Sequence, residues 1–204
     1  MRSLMKKLAL AAPIVAATLT VFAASTQAQG IYVVEGGRTT VTLSKAFLAD
    51  TTALKMTVGA VNTSQIYENQ IFFPITSGAI NLETAGGQIL HSGGITLTAG
   101  TKNVRLESFI VNTLGEEPYI TALVVANGRF LGRINLFDLR LSSDLTFPLV
   151  PHDGDFFLPG TELNLDPAGA AALNDAFGVK TFADNLFVGN ALSLVFVPLN
   201  ADGK

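Results

Sequence analysis

Apolar and polar residues alternate along most of the chain from Ile31 onward, with the period of two that marks half-buried strands. Ile31-Tyr32-Val33-Val34 and Thr39-Thr40-Val41-Thr42-Leu43 are rich in β-branched residues and are divided by a turn predicted at Glu35-Gly36-Gly37. The same reading predicts strands at Ile71 to Ile75, Ala79 to Leu82, Gln88 to His91, Ile95 to Ala99, Val104 to Asn112, Tyr119 to Ala126, Arg129 to Leu141, Asp144 to Phe147 and Leu192 to Val197. Asn127-Gly128 suits a two-residue type I′ turn, because both residues accept positive φ, and so joins two of these strands as a hairpin. In Arg129–Leu141 the apolar set Phe130, Ile134, Leu136 gives way to Phe137, Leu139, Leu141, and in Val104–Asn112 the set Val104, Leu106 gives way to Phe109, Val111. A one-residue slip of phase is the mark of a β-bulge, and bent strands of this kind wrap the corner of a sandwich or barrel.

Helix signals occur twice. Asp166 followed by Pro167 starts one helix as N-cap and first helical residue, with Gly178 closing it behind Phe177. Ser44 caps a second, from Lys45 to about Leu54, with Ala46, Phe47 and Leu54 on one face. Each follows a short strand ending in leucine, Val41-Thr42-Leu43 and Leu163-Asn164-Leu165, a weak internal echo at the two ends of the domain. The predicted class is therefore mainly β: an antiparallel β-sandwich, or flattened barrel, with two short α-helices.

Arg2, Lys6 and Lys7, the apolar run Leu8 to Phe22 and the small residues of Thr26-Gln27-Ala28 make up an export signal, predicted to be cleaved after Ala28. The apolar run, interrupted by Pro13, is shorter than the roughly 20 residues a spanning helix needs. Residues 29–204 then form a single domain, secreted or periplasmic, whose C-terminal end carries no apolar anchor. The whole chain has 13 basic and 16 acidic residues, and loss of the signal leaves 10 against 16, net −6. No basic excess exists to neutralise a phosphate backbone, so nucleic acid is not an expected partner.

The chain has no cysteine and two histidines, which excludes a disulfide framework, a thiolate cage and a three-histidine zinc site. No Gly-x-Ser-x-Gly elbow is present, and Ser92 beside His91 points to the opposite face of a strand. Glu107, Glu116, Glu117, Asp138 and Asp144 could supply a carboxylate pair, but nothing in their spacing requires one. His152-Asp153-Gly154-Asp155 reads as a polar turn, and the pairs Gly86-Gly87 and Gly93-Gly94 lie between strands, not before a helix. No catalytic or metal-ligating residues are assigned, and a non-enzyme is expected. Phe147-Pro148-Leu149-Val150-Pro151 and Phe156-Phe157-Leu158-Pro159 read as a Pro-rich connection that caps the core or forms a contact patch. Ile89, His91, Ile95 and Leu97 share odd parity, which places the His91 imidazole among aliphatic side chains unless the two glycines make a turn and leave it at a strand end.

The run Phe73-Pro74-Ile75-Thr76-Ser77-Gly78-Ala79-Ile80, followed by Gly87-Gln88-Ile89-Leu90-His91-Ser92-Gly93-Gly94-Ile95, resembles the HtaA-type domain of secreted and surface bacterial proteins. Residues Val104 to Leu141, and Leu163-Asn164-Leu165 with the alanine-rich helix after it, are compatible with the same domain. In haem-binding members a tyrosine near the first helix ligates iron and a histidine supports it, which the resemblance carries over to His91. The tyrosine does not carry over, because Asp50 falls near its place; Tyr67 is the candidate that reaches the site from another segment, with Tyr32 as another possibility. The reading is an exported non-enzymatic binding or cell-envelope structural module without a required cofactor. Haem capture and transfer, with His91 and Tyr67 as binding residues, is one alternative, and a self-assembling matrix or filament subunit is the other. Expected partners are a small molecule or an envelope or extracellular protein, with no membrane span in the mature chain and with self-association as a further option.

Overall fold

The computed structural model describes residues 30–199, so the predicted signal segment and its cleavage site lie outside the described residues. Twelve strands and two helices follow one another as β1 (Ile31–Val34), β2 (Gly36–Leu43), α1 (Lys45–Ala53), β3 (Thr57–Val61), β4 (Gln65–Tyr67), β5 (Gln70–Asn81), β6 (Gly87–His91), β7 (Gly94–Ala99), β8 (Lys102–Asn112), β9 (Tyr119–Ala126), β10 (Arg129–Arg140), β11 (Asp155–Leu165), α2 (Pro167–Phe177) and β12 (Phe187–Phe196). The mainly β class with two short helices is as expected, but two stacked layers are not what forms. One antiparallel sheet closes on itself as an eight-stranded barrel, β5-β2-β12-β11-β10-β9-β8-β6 and back to β5, with the remaining strands attached outside the ring.

Closure depends on β6, which pairs with β5 through Ile75↔His91 to Ile80↔Gly87 and with β8 through Gln88↔Asn112 to Leu90↔Ile110. Beyond His91 the sheet forks. The chain breaks at Ser92-Gly93, continues along β8 as β7, and there carries β3 on its outer side, while β4 pairs with β5. The turn between β3 and β4 is pinned into this fork: Ser64 Oγ accepts from Gly94 N at 2.7 Å, and Thr63 Oγ1 lies 2.8 Å from Ser92 Oγ. Gly93 has φ +79°, and a Cβ there would sit 2.3 Å from Ser64 Oγ, so the fork requires glycine.

The Asn127-Gly128 hairpin forms as predicted, with φ of 51° and 80° at the two turn residues. Bulges occur where the phase slips, between Asn135 and Phe137 and between Glu107 and Ile110. Other expectations are corrected. Glu35-Gly36-Gly37 does not turn the chain back: β1 and β2 both run along β5, with only a bend at Glu35. Ile71 to Ile75 and Ala79 to Leu82 are one bulged strand, β5. Asp144 to Phe147 is not a strand, and Phe156 to Pro159 is no connection but the start of β11, facing β12. An extra bulge between Phe130 and Gly132 turns Phe130 outward, where it is 63% exposed.

The two helices have the predicted ends. Ser44 Oγ accepts from Phe47 N at 3.0 Å, Asp166 Oδ1 accepts from Ala168 N at 2.7 Å, and Gly178 closes α2 in the left-handed region. The last carbonyls of α2 are taken up by the barrel: Lys102 Nζ donates to Phe177 O, and Asn127 Nδ2 donates to Ala176 O at 2.9 Å. The sequence echo becomes a spatial one, since Gly189 of β12 pairs with Leu43 on one side and Leu163 on the other, and a helix follows each of those strands. Both helices thus cover one end of the barrel.

Inside, the main apolar cluster lies under the helices and includes Val41, Leu43, Phe47, Phe73, Leu97, Leu106, Leu165 and Leu173. A smaller cluster of Val34, Ile75, Ile80, Ile89, Leu158 and Val195 fills the other end. Outward positions carry Arg38, Gln88, Arg133 and Glu162 together with exposed Val33, Phe130, Phe157 and Leu192, so the wall is apolar within and mixed outside. Among the described residues no helix is long and apolar enough to cross a membrane.

Candidate functional site

His91 ends β6 with its side chain turned into the barrel, where it is 6% exposed. Inward parity on two other strands brings Thr39 from β2 and Ser193 from β12 to the same level, which the register Ser193↔Thr39 sets. Thr39 Oγ1 lies 2.7 Å from His91 Nε2 and 2.7 Å from Ser193 Oγ, forming a chain of three polar groups across the wall. Along β1 and β2 this level falls between Val34 of the smaller cluster and Val41 of the main one, and on β12 between Val195 and Ala191. The trio is therefore a polar waist between two apolar compartments.

Burial drives the His91 pKa from 6.5 down to about 4, with weaker backbone interactions at Phe109 and then Ile89 acting in the opposite direction. The imidazole is accordingly neutral near pH 7. Nε2 is used by Thr39, whereas Nδ1 is fully buried and closes no hydrogen bond of ordinary geometry with the backbone around it.

The trio borders a cavity of about 100 Å³ inside the barrel. Aliphatic and aromatic side chains from both compartments line it, Val41, Phe73, Ile80, Ile89 and Leu158 among them, and Phe47 of α1 and Leu173 of α2 close it at the helical end. The only ionisable residue in its lining is His91, and the remaining polar groups are hydroxyls, those of Thr39, Ser193, Thr161 and Thr113. Thr113 is already engaged, donating to the carbonyls of Ala85 and Gly87.

The structure does not bring Tyr67 to His91. Tyr67 lies on β4, 66% exposed, opposite Gln70 and outside the cavity lining. Tyr32 packs against the smaller cluster, and Asp50, at the place expected for a tyrosine, lies on α1. The other segments singled out have structural positions: His152 sits in an exposed turn closed by hydrogen bonds with Asp155, and Glu107 pairs with Arg105. Thr39 and Ser193 are not legible in the sequence as partners of His91, because alternation tells which way a side chain points but not which strand lies across from it.

The two segments that carry the resemblance, in β5 and β6, are hydrogen-bonded neighbours and form the closing seam. No protein-family model matches the chain, and no curated protein matches it. Solved structures do. The C-terminal domain of HtaA from Corynebacterium glutamicum aligns with a TM-score of 0.63 at 17% identity, over 82% of this chain and 99% of that one. The chain has an HtaA-like fold. The N-terminal domain of HtaA from the same organism gives 0.61 at 12% identity, over 81% of this chain and 98% of that one. Haem-binding protein HtaB, also from that organism, gives 0.56 at 7% identity, over 82% and 96%. The expected HtaA-like character therefore holds for the fold, across nearly the whole of each of those domains.

Proposed function

We propose that this chain is an exported, non-enzymatic binding module of HtaA-like build whose site is the interior of the barrel. The observation that carries this reading is the apolar cavity with a single polar waist, His91-Thr39-Ser193, and an unpartnered ring nitrogen. Sites for small molecules are mostly apolar, with a few placed polar groups to fix orientation, and this one has that composition. The same composition argues against chemistry: a neutral, deeply buried imidazole hydrogen-bonded to a threonine has no carboxylate in the cavity lining to orient it as a base. Export follows from the first 28 residues.

The interior is a poor match for haem. A volume of about 100 Å³ falls below the roughly 300 Å³ at which pockets for drug-sized ligands begin, and a porphyrin is larger than most such ligands. His91 Nε2 is occupied, and no tyrosine lines the cavity. A compact guest suits the space instead. The test is direct: the protein lacking residues 1–28 is titrated with benzene and followed by calorimetry and methyl NMR. Saturable shifts at Leu97, Leu106 and Val41 are expected, and their absence defeats the reading.

Haem capture is the second reading, favoured by the likeness to HtaB over 82% of this chain. Here the haem lies against the outer wall with Tyr67, the most exposed tyrosine, as its contact. Haemin titration decides it: a Soret band that appears with the wild type and is lost in Tyr67→Phe supports it, and an unchanged spectrum removes it.

A further inference from the structure

Resting on the interior-site reading above, we infer that the guest is a neutral, compact apolar molecule bearing one hydroxyl group, which joins the His91-Thr39-Ser193 chain at the free ring nitrogen. Three features of the site lead there. The first is size. An engineered apolar cavity of about 150 Å³ accepts benzene, so about 100 Å³ limits the guest to a ring or branched chain no larger than roughly six or seven heavy atoms.

The second is charge. No lysine, arginine, aspartate or glutamate lines the cavity, so a carboxylate or an ammonium group would be stripped of water with no counter-charge to meet it. Transfer of such a group is far costlier than that of a neutral hydroxyl, and the site discriminates against it.

The third is hydrogen-bond direction. Three groups in series can be polarised two ways. If Ser193 donates to Thr39 and Thr39 donates to Nε2, the ring carries its proton on Nδ1, where the backbone of Phe109 and Ile89 interacts with the ring but closes no well-formed hydrogen bond, and a better-placed acceptor is favoured. If Nε2 donates to Thr39 and Thr39 donates to Ser193, Nδ1 is a bare acceptor and needs a donor. A hydroxyl meets either state, whereas a carbonyl or an ether meets only one. A hydrocarbon meets neither and leaves the buried nitrogen as it is, at the cost of an unsatisfied polar group.

The experiment compares phenol, benzene and benzoate as probes on the protein lacking residues 1–28, by calorimetry, for the wild type, His91→Phe and Thr39→Val. Phenol is expected to bind about tenfold more tightly than benzene to the wild type, with benzoate at least tenfold weaker than phenol. In both variants phenol falls to the affinity of benzene while benzene itself is held. Should His91→Phe not fold, Thr39→Val and the ring nitrogens of His91 in the wild type still decide the matter: phenol should shift the Nδ1 ¹⁵N resonance more than Nε2, and benzene should shift neither. Equal binding of phenol and benzene overturns the hydroxyl while leaving the interior site in place. Benzoate binding as tightly as phenol overturns the neutral guest. No binding of any probe overturns this inference and the interior-site reading together.

Discussion

A histidine enclosed by aliphatic side chains has to give up its charge, and the consequence reaches the stability of the whole chain. The His91 imidazole titrates at about 4 in the folded state and near 6.5 when unfolded. Between those values the unfolded chain binds a proton that the folded one refuses, so stability is complete above about pH 6.5 and falls as the pH drops toward 4. The full loss is roughly 3 kcal/mol, from about 1.4 kcal/mol per pKa unit. Urea unfolding at pH 7 and pH 4.5 should show the wild type losing most of that amount beyond what His91→Phe loses, since both share the carboxylate background. Parallel acid sensitivity in the two proteins would defeat the prediction. At this scale the sequence leaves two places for His91, inward on an unbroken strand or at a strand end, and the structure combines them: the chain breaks after it at Ser92-Gly93, yet His91 is buried, as are Ile89, Ile95 and Leu97. The sequence reading leaves out Thr39, 52 residues away, and Ser193, 154 residues from Thr39, because a period-two pattern carries no information about distant neighbours.

At the scale of elements, local chemistry was legible and long-range pairing was not. Both caps, the type I′ hairpin and two bulges follow from residue types within a few positions of one another. Phe156-Phe157-Leu158-Pro159 read as a connection because Pro159 interrupts it, yet a bulge between Leu158 and Thr161 lets β11 carry the proline and continue. The N-cap of α2 lends itself to a two-variant test, because Asp166 has two effects. Its carboxylate caps the helix, and it also adds negative charge beside Asp138. Partial burial first, then Asp166, Asp184 and Glu117, raise the pKa of the Asp138 carboxyl, and Arg140 opposes them. Asp166→Ala should lose about 1 kcal/mol with the cap. Asp166→Asn keeps an acceptor for Ala168 N and removes the repulsion, so it should be neutral or stabilising at pH 7 and should move the Asp138 titration, read by NMR, back toward the ordinary carboxylate range. If the two variants lose equal stability, the capping hydrogen bond is not what the aspartate contributes.

At the scale of the whole molecule, the step from open sheet to barrel rests on five residues. Strand β6 is the single link between β5 and β8, and a ring of eight strands has no free edge only while that link holds. The backbones approach so closely there that a Cβ at Gly87 would lie 2.1 Å from Ala79 O and 2.8 Å from Ile80 Cα, both of them backbone atoms that cannot swing aside. Gly87→Ala must therefore push β6 away from β5, at a cost on the order of 2 kcal/mol by the usual range for overpacking. Gly100→Ala is the matched control: that glycine sits at φ +59° in a turn with nothing within 4 Å of the added atom, so it pays only the left-handed backbone penalty of about 1 kcal/mol. Hydrogen exchange separates the two. In Gly87→Ala the amides of Gln88, Ile89 and Leu90 should lose protection while those of the β9–β10 hairpin keep theirs, since opening the seam leaves the hairpin's own ladder intact. In Gly100→Ala protection should fall, if at all, only at the β7–β8 turn. Uniform loss across every strand in Gly87→Ala would mean that the ring unfolds as one unit and that β6 is not its seam.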